Sequence, residues 1–128
     1  LEKRFASESD FIKVRDRVTI YTKGIEAIAR KPQYDVIISA VPFTNMPPNL
    51  VREFFETFRD VLNPGGTFTY IEFAFGRAIF RVFAKKEAKK RLSAVGNVVD
   101  HYRETYQVNH KFVPLNMPPA RIRTLKFH

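Results

Sequence analysis

The sequence contains no cysteine and only five glycines in 128 residues. Without cysteine, disulfide bonds, thiolate catalysis and thiolate metal sites are excluded. The glycines (24, 65, 66, 76 and 96) form no G-x-G-x-x-G turn of the kind that binds dinucleotides. No apolar run approaches the roughly 20 residues of a transmembrane helix, and the first residues show no signal-peptide pattern. We therefore expect a cytoplasmic protein that is either soluble or peripherally bound to a membrane.

The composition is that of one globular domain with an uneven charge distribution. Apolar residues make up 45% of the chain and aromatic residues 14%, which favours a packed core over disorder. Residues 1–76 contain ten basic and ten acidic side chains, whereas residues 77–128 contain twelve basic and three acidic ones. The net charge of +9 therefore lies in the C-terminal part. It indicates a surface for an anionic partner, although an ordinary solvated face is an equal alternative.

The spacing of apolar residues predicts alternating helices and strands. The predicted helical segments are residues 1–14, 25–30, 50–62 and 77–95, and residues 97–106 are ambiguous. The predicted strands are residues 17–22, 34–40, 67–75, 108–115 and 120–127. A buried strand, an amphipathic helix and a second buried strand imply a right-handed parallel crossover in the middle of the chain. We therefore predict an α/β fold whose last two strands form an antiparallel edge pair.

Two features of this crossover could carry chemistry. The first strand ends in Ser39-Ala40-Val41-Pro42-Phe43, at the strand end where open α/β sheets bind ligands. A proline followed by an exposed aromatic ring would present a rigid carbonyl and a ring to a substrate, although both residues could simply end the strand. Glu72 shares an otherwise apolar strand face with Phe68 and Tyr70, which is costly for a carboxylate without a partner. It could steer an ammonium group or accept its proton, or pair internally with Arg77 or Arg81.

Residues 35–66, from Asp-Val-Ile-Ile-Ser through Asn-Pro-Gly-Gly, resemble the class I S-adenosylmethionine-dependent methyltransferases. The nearer likeness is to bacterial phospholipid N-methyltransferases and adenine dimethylases. The resemblance implies a Rossmann-like, mostly parallel sheet and S-adenosylmethionine as cofactor. It also implies an acceptor-amine site in the turn with Ser39, Pro42 and Phe43, which Glu72 could assist from its place on the next strand. Ser39 stands where the adenine enzymes have Asn or Asp, which favours the phospholipid branch.

The same resemblance assigns cofactor contacts to Gly24, Ile25, Ser39 and Ala40. Gly24-Ile25 is similar to the segment that covers the cofactor's adenine, but Ile25 replaces an aspartate and leaves only a backbone contact. An ordinary strand-to-helix turn is an equal alternative there. Because the glycine-rich turn is absent, the resemblance implies one partial domain, residues 1–128, whose sheet lacks its N-terminal strands. We expect either an additional N-terminal segment or self-association at the open sheet edge.

The basic segment 77–95 is the candidate surface for an anionic membrane or phospholipid. Nucleic acid is an alternative partner, and a core helix with a solvated back is the plain structural interpretation. Asn-Met-Pro-Pro occurs at both 45–48 and 116–119, either by coincidence or as two turns on one rim of a cleft. The histidines have no spacing typical of zinc sites, so we predict no metal.

The resemblance implies an S-adenosylmethionine-dependent N-methyltransferase that acts on a phospholipid headgroup amine, and this is the function that we predict. A nucleic-acid adenine methyltransferase is the first alternative. The second alternative is a non-catalytic basic α/β binding module, in which the glycine-rich turn is truly lost.

Overall fold

The structure is a computed structural model, and it describes residues 2–73 and 86–128. The helices of these residues are α1 (Glu2–Ser7), α2 (Ser9–Ile12), α3 (Pro48–Val61) and α4 (Lys86–Tyr106). The strands are β1 (Tyr34–Ser39), β2 (Leu62–Phe73), β3 (Gln107–Val113) and β4 (Ala120–Leu125). Short 3-10 helices lie at Arg15–Arg17, Ile25–Ala27 and Phe43–Asn45.

The strands form one mixed sheet in the order β1-β2-β4-β3. β1 and β2 are parallel, with Ile37 opposite Phe68 and Ser39 opposite Tyr70. β4 is antiparallel to both β2 and β3. The predicted parallel crossover and the antiparallel edge pair are therefore confirmed. The mostly parallel sheet is not seen among the described strands, because only one of their three pairings is parallel.

The sequence of α3 explains both where the helix begins and which side of it is buried. Pro48 occupies the first turn, where its missing N–H costs no hydrogen bond. The apolar residues then recur every three or four positions, so that Val51, Phe55, Phe58 and Val61 are all buried on one side.

Two glycines lie near the beginning of β2, shortly after the end of α3. Gly65 has a φ of 83°, a left-handed conformation that glycine adopts without the strain of a Cβ. Gly66 is buried against backbone, since a Cβ there would lie 2.9 Å from the carbonyl oxygen of Asn63 and 3.0 Å from that of Asp35. The Asn-Pro-Gly-Gly sequence therefore sets how closely β2 approaches β1.

One face of the sheet is covered by α3 and α4 and carries an aromatic core. Phe55 is central in this core: its ring stacks on Tyr102 of α4 at 4.5 Å and meets Phe68 of β2 edge-on at 5.6 Å. The other buried members of the cluster are Phe43, Val51, Phe58, Leu62, Tyr70, Val95, Val98, Val99, Leu125 and Phe127. This packing fixes both helices against the sheet.

The opposite face of the sheet is open among the described residues. Val36 and Ile38 of β1 are 60% and 77% exposed, and Ile71 and Phe73 of β2 are also exposed. In the described parts of the chain, β1 has a partner strand on one side only. The expected additional N-terminal strands would lie at this edge, and they stay a prediction.

Three of the sequence predictions need correction or completion. The prediction of a strand at 17–22 is wrong: Arg15–Arg17 is a 3-10 helix, and residues 18–22 pair with none of the described strands. The ambiguous residues 97–106 are helical and belong to α4. The predicted helix 77–95 is confirmed only from Lys86 onward, since residues 77–85 lie outside the described residues.

A bilayer-spanning helix must be both long and apolar. No helix in the described segments meets both requirements.

Candidate functional site

A cavity of about 250 Å³ opens at the carboxyl ends of β1 and β2. Its lining comes from three segments: the turn 40–45 after β1, residues 70–73 at the end of β2, and Val95, Gly96 and Val99 of α4. Because β1 and β2 are parallel, their carboxyl ends meet at one edge of the sheet, where such folds bind ligands. Of the predicted site residues, Ala40, Pro42, Phe43 and Glu72 meet at this cavity.

Ser39 holds the turn in place and is not part of the cavity lining. Its side chain is buried, and its Oγ accepts a hydrogen bond of 3.2 Å from the Val41 N–H. The hydroxyl therefore stabilises the backbone just after the strand. The predicted contact of Ser39 with acceptor or cofactor stays a prediction, and the residues of this turn that line the cavity are 40–45.

Phe43 is a core residue, so the prediction of an exposed ring is wrong. It is only 6% exposed, with its centroid 5.2 Å from that of Phe55 and 5.7 Å from that of Tyr70. The 3-10 helix Phe43–Asn45 turns the side chain inward, towards α3. Phe43 still contributes to the cavity wall, whereas Pro42 beside it is exposed.

Glu72 enters the cavity as part of a nearly buried ion pair. The Arg123 Nε donates a hydrogen bond of 2.8 Å to Glu72 Oε2, and Arg123 Nη1 donates one of 2.8 Å to Gln107 Oε1. The side chains of Arg123 and Glu72 are 8% and 14% exposed. Arg123 is thus a partner of Glu72 in the structure, whereas the predicted partners Arg77 and Arg81 lie outside the described residues. A charge-assisted bond in these surroundings holds the carboxylate in one orientation.

Arg123 is a charged residue of the site that sequence reasoning missed. It lies on β4 directly opposite Tyr70, on the face of the sheet that carries the cavity. The only signal in the sequence was a basic residue between apolar and hydroxyl neighbours in a strand. Val95, Gly96 and Val99 were also missed, because nothing local shows which side of a helix lines a cavity.

Gly24 and Ile25 lie away from this cavity. Ile25 faces a second, shallower hollow with Tyr34 of β1 and Val61 of α3. Tyr34 begins β1 and Val61 ends α3, so this hollow lies at the amino end of β1, opposite the turn 40–45. The structure thus does not bring Ile25 together with Ala40 in one cavity, and the predicted cofactor contacts of Gly24, Ile25 and Ala40 stay a prediction.

Basic side chains lie at the same end of the sheet as the cavity. α4 leads directly into β3, whose first residue lies at the far end of the sheet. Val95 lines the cavity, and Lys86 precedes it by nine residues, about 13 Å at 1.5 Å per residue. The first turns of α4 therefore extend past the carboxyl ends of the strands. They carry four exposed cations: Lys86, Lys89, Lys90 and Arg91.

The two Asn-Met-Pro-Pro turns lie at this end as well. Residues 45–48 connect the cavity turn to α3, and residues 116–119 belong to the β3–β4 loop, just beyond the pairing of Ala120 with Phe73. The alternative that both turns lie near one rim therefore agrees with the structure.

Comparison with known proteins supports the fold and goes no further. No protein-family model matches the chain, and no curated protein matches it. A crystal structure described as the PH0226 protein from Pyrococcus horikoshii OT3 is similar, with a TM-score of 0.65 and 13% sequence identity. The match covers 98% of this chain and 68% of that one. At this identity the likeness shows a shared α/β, Rossmann-like architecture.

Proposed function

We propose that this chain carries the acceptor site of an S-adenosylmethionine-dependent N-methyltransferase whose substrate is a phospholipid headgroup amine. The observation that carries the proposal is the cavity at the carboxyl ends of β1 and β2, which joins the turn 40–45 to the Glu72–Arg123 ion pair. The methyltransferase-like fold supports it, as does the resemblance of residues 35–66 to this class.

The fit of the described residues to S-adenosylmethionine is partial. Ala40 reaches the cavity, but Gly24 and Ile25 lie at the other end of β1. The sequence has no glycine-rich turn of the G-x-G-x-x-G kind. The cavity volume of about 250 Å³ is also smaller than the roughly 300–1,000 Å³ of typical cofactor sites. We therefore assign the chain's own residues to the acceptor amine and derive no step through the cofactor.

The cavity supplies what an amine acceptor needs, which is orientation and a matching charge. Backbone carbonyls of the turn 40–42 can accept N–H bonds from the amine, and the exposed Pro42 keeps that backbone rigid. A carboxylate accepts up to about four hydrogen bonds, so the contact of Glu72 with Arg123 is compatible with an ammonium partner as well. Glu72 then attracts the protonated headgroup and accepts its proton before the amine reacts.

The test of this function is methyl transfer from labelled S-adenosylmethionine to vesicles that contain phosphatidylethanolamine. Glu72→Gln should lower the rate by about tenfold or more, since a hydrogen bond to a charged group contributes about 1.5–3 kcal/mol. The matched control is Glu104→Gln, whose carboxylate is 74% exposed at the far end of α4. Circular dichroism checks that both variants are folded at the assay temperature.

Two other outcomes identify the rival functions. Transfer to RNA or DNA adenine with none to lipid would favour the nucleic-acid enzyme, which the charge of +9 supports. Calorimetry that detects no heat at high micromolar S-adenosylmethionine, with no transfer to either substrate, would favour the non-catalytic binding module.

A further inference from the structure

The loop between β3 and β4 exposes two large apolar side chains at its tip. This hairpin tip, residues 114–119, has the sequence Pro-Leu-Asn-Met-Pro-Pro. Leu115 is 94% exposed and Met117 is 92% exposed, the two highest values among the exposed large apolar side chains of the described residues. Single exposed apolar residues are ordinary, but two at one loop tip form a small projecting apolar surface.

The hairpin tip is held in shape by its own asparagine. The Asn116 Nδ2 donates a hydrogen bond of 2.7 Å to the carbonyl oxygen of Pro118, and the Asn116 N–H donates one of 3.4 Å to that of Val113. Asn116 therefore uses its side-chain NH2 group and its backbone N–H within the turn. Leu115 and Met117, on either side of it, are left to face the solvent.

The hairpin tip also lies beside the candidate site. Val113 and Phe73 both pair with Ala120, so the tip begins where β2 ends and where the cavity opens. Exposed cations flank it: Lys111 on β3 and Arg121 on β4, whose guanidinium lies 5.9 Å from the ring of Phe112. The basic first turns of α4 lie at the same end. An apolar projection with cations around its base complements an anionic lipid surface, where the cations contact headgroups and the apolar tip enters the interface.

We infer that the hairpin tip inserts into the interface of an anionic phospholipid bilayer and thereby sets the cavity mouth at headgroup level. This inference rests on the proposed phospholipid substrate, because it assigns the surface that would deliver that substrate. Nucleic acid is disfavoured as the occupant because the tip offers aliphatic side chains, not the aromatic rings on which bases stack.

The absence of tryptophan allows a direct measurement of insertion. Leu115→Trp places a single indole at the hairpin tip of the full chain. Its fluorescence should shift to the blue when vesicles of equimolar phosphatidylcholine and phosphatidylglycerol are added, and brominated lipids should quench it. The matched control is Val108→Trp, at a 61% exposed position near the other end of β3. Its emission should stay unchanged.

A second pair of variants measures the contribution of the tip to binding. Leu115→Ser with Met117→Ser should weaken vesicle cosedimentation by about tenfold, as expected when two apolar anchors are lost. Ile38→Ser with Val108→Ser removes comparable apolar side chains elsewhere and should leave cosedimentation unchanged. Added salt should weaken binding of the unmodified chain, because exposed cations are screened.

The results separate this inference from the proposed function. Vesicle binding without a blue shift of Leu115→Trp would overturn insertion, and so would a shift caused by single-stranded RNA but not by vesicles. If the proposed function and the insertion of the hairpin tip are both right, the Leu115→Ser, Met117→Ser variant should still methylate soluble glycerophosphoethanolamine. The same variant should lose methyl transfer to vesicles. If the hairpin tip inserts into vesicles but the chain methylates no acceptor, the proposed function is contradicted and the membrane contact is still supported.

Discussion

The two faces of this sheet are formed by the same strands, but one face is buried under helices and the other is exposed among the described residues. On the covered face, Phe55, Phe68 and Tyr70 pack with α3 and α4 and are almost fully buried. On the open face, Val36 and Ile38 are mostly exposed. Side chains alternate between the two faces along each strand. Residues that are adjacent in sequence therefore differ sharply in their contribution to the stability of the fold.

This difference shows how the candidate site is stabilised. The cavity wall includes Phe43 and Tyr70, which pack in the aromatic core of the covered face, and Glu72, which Arg123 holds by a hydrogen bond. The open face contributes few contacts among the described residues. Substitutions on the covered face should therefore cost far more stability than matched substitutions on the open face.

The largest effect is expected at the centre of the core. Phe55→Ala should lower the free energy of unfolding by about 4 kcal/mol, the cost of a cavity left by a buried phenylalanine. The same change at Phe73, which is 49% exposed on the open face, should cost about 1 kcal/mol or less. Urea denaturation measures both. Equal losses would show that the two faces are equally packed.

The buried ion pair should come next. Arg123→Met breaks a hydrogen-bonded ion pair with Glu72 in a mostly buried position and should cost about 3 kcal/mol. Arg121→Met, on the exposed neighbour two residues earlier, should change stability by less than about 0.5 kcal/mol. Adding Glu72→Leu to Arg123→Met should recover most of the loss. A double variant as unstable as the single one would show that the arginine acts through packing alone.

A pH effect of moderate size is expected from Tyr102. Burial in the covered face is the main cause that raises the pKa of this phenol above its ordinary value of 10.0. The folded state therefore retains the proton more strongly than the unfolded state. The stability that the protonated Tyr102 phenol contributes is fully present below pH 10 and is lost as the pH rises through the pKa of this phenol in the folded protein.

Thermal unfolding of the unmodified chain and of Tyr102→Phe across this pH range checks the assignment. The unmodified chain should lose stability more steeply than the variant above pH 10. Parallel pH curves would show that the phenol does not contribute to the pH dependence.

The smallest effect on stability is expected on the open face. Val36→Ser with Ile38→Ser should change the free energy of unfolding by less than about 0.5 kcal/mol, since surface substitutions rarely exceed this. The pair should still reduce self-association in sedimentation velocity if exposed apolar residues at an open sheet edge bring two chains together. A loss of several kcal/mol would mean that this face is covered in solution.

The sequence predicted those elements that local patterning determines. The three- and four-residue spacing in 50–62 predicted α3 to within two residues at its start, and the continuous apolar run predicted β1. The prediction of a strand at 17–22 was wrong because β-branched residues form a strand only when a neighbouring strand supplies hydrogen bonds. No described strand pairs with those residues.

The site was predictable only in part, for a related reason. The turn after β1 could be located from Ser39-Ala40-Val41-Pro42, but whether Phe43 points outward or into the core depends on α3 and β2. Arg123 lies 51 residues from Glu72 in the sequence, and only the register between β2 and β4 brings them together. Strand register depends on long-range packing and cannot be read from either strand alone.

The most direct test of the central claim is a titration of the isotope-labelled chain with glycerophosphoethanolamine, followed in its amide NMR spectrum. We predict concentration-dependent shifts confined to the turn 40–45, to residues 70–73 and to α4 near Val95, with shifts weakened in Glu72→Gln. Shifts confined to Ile25 and its neighbours, or no shifts at any headgroup concentration, would contradict an amine site at the carboxyl ends of β1 and β2.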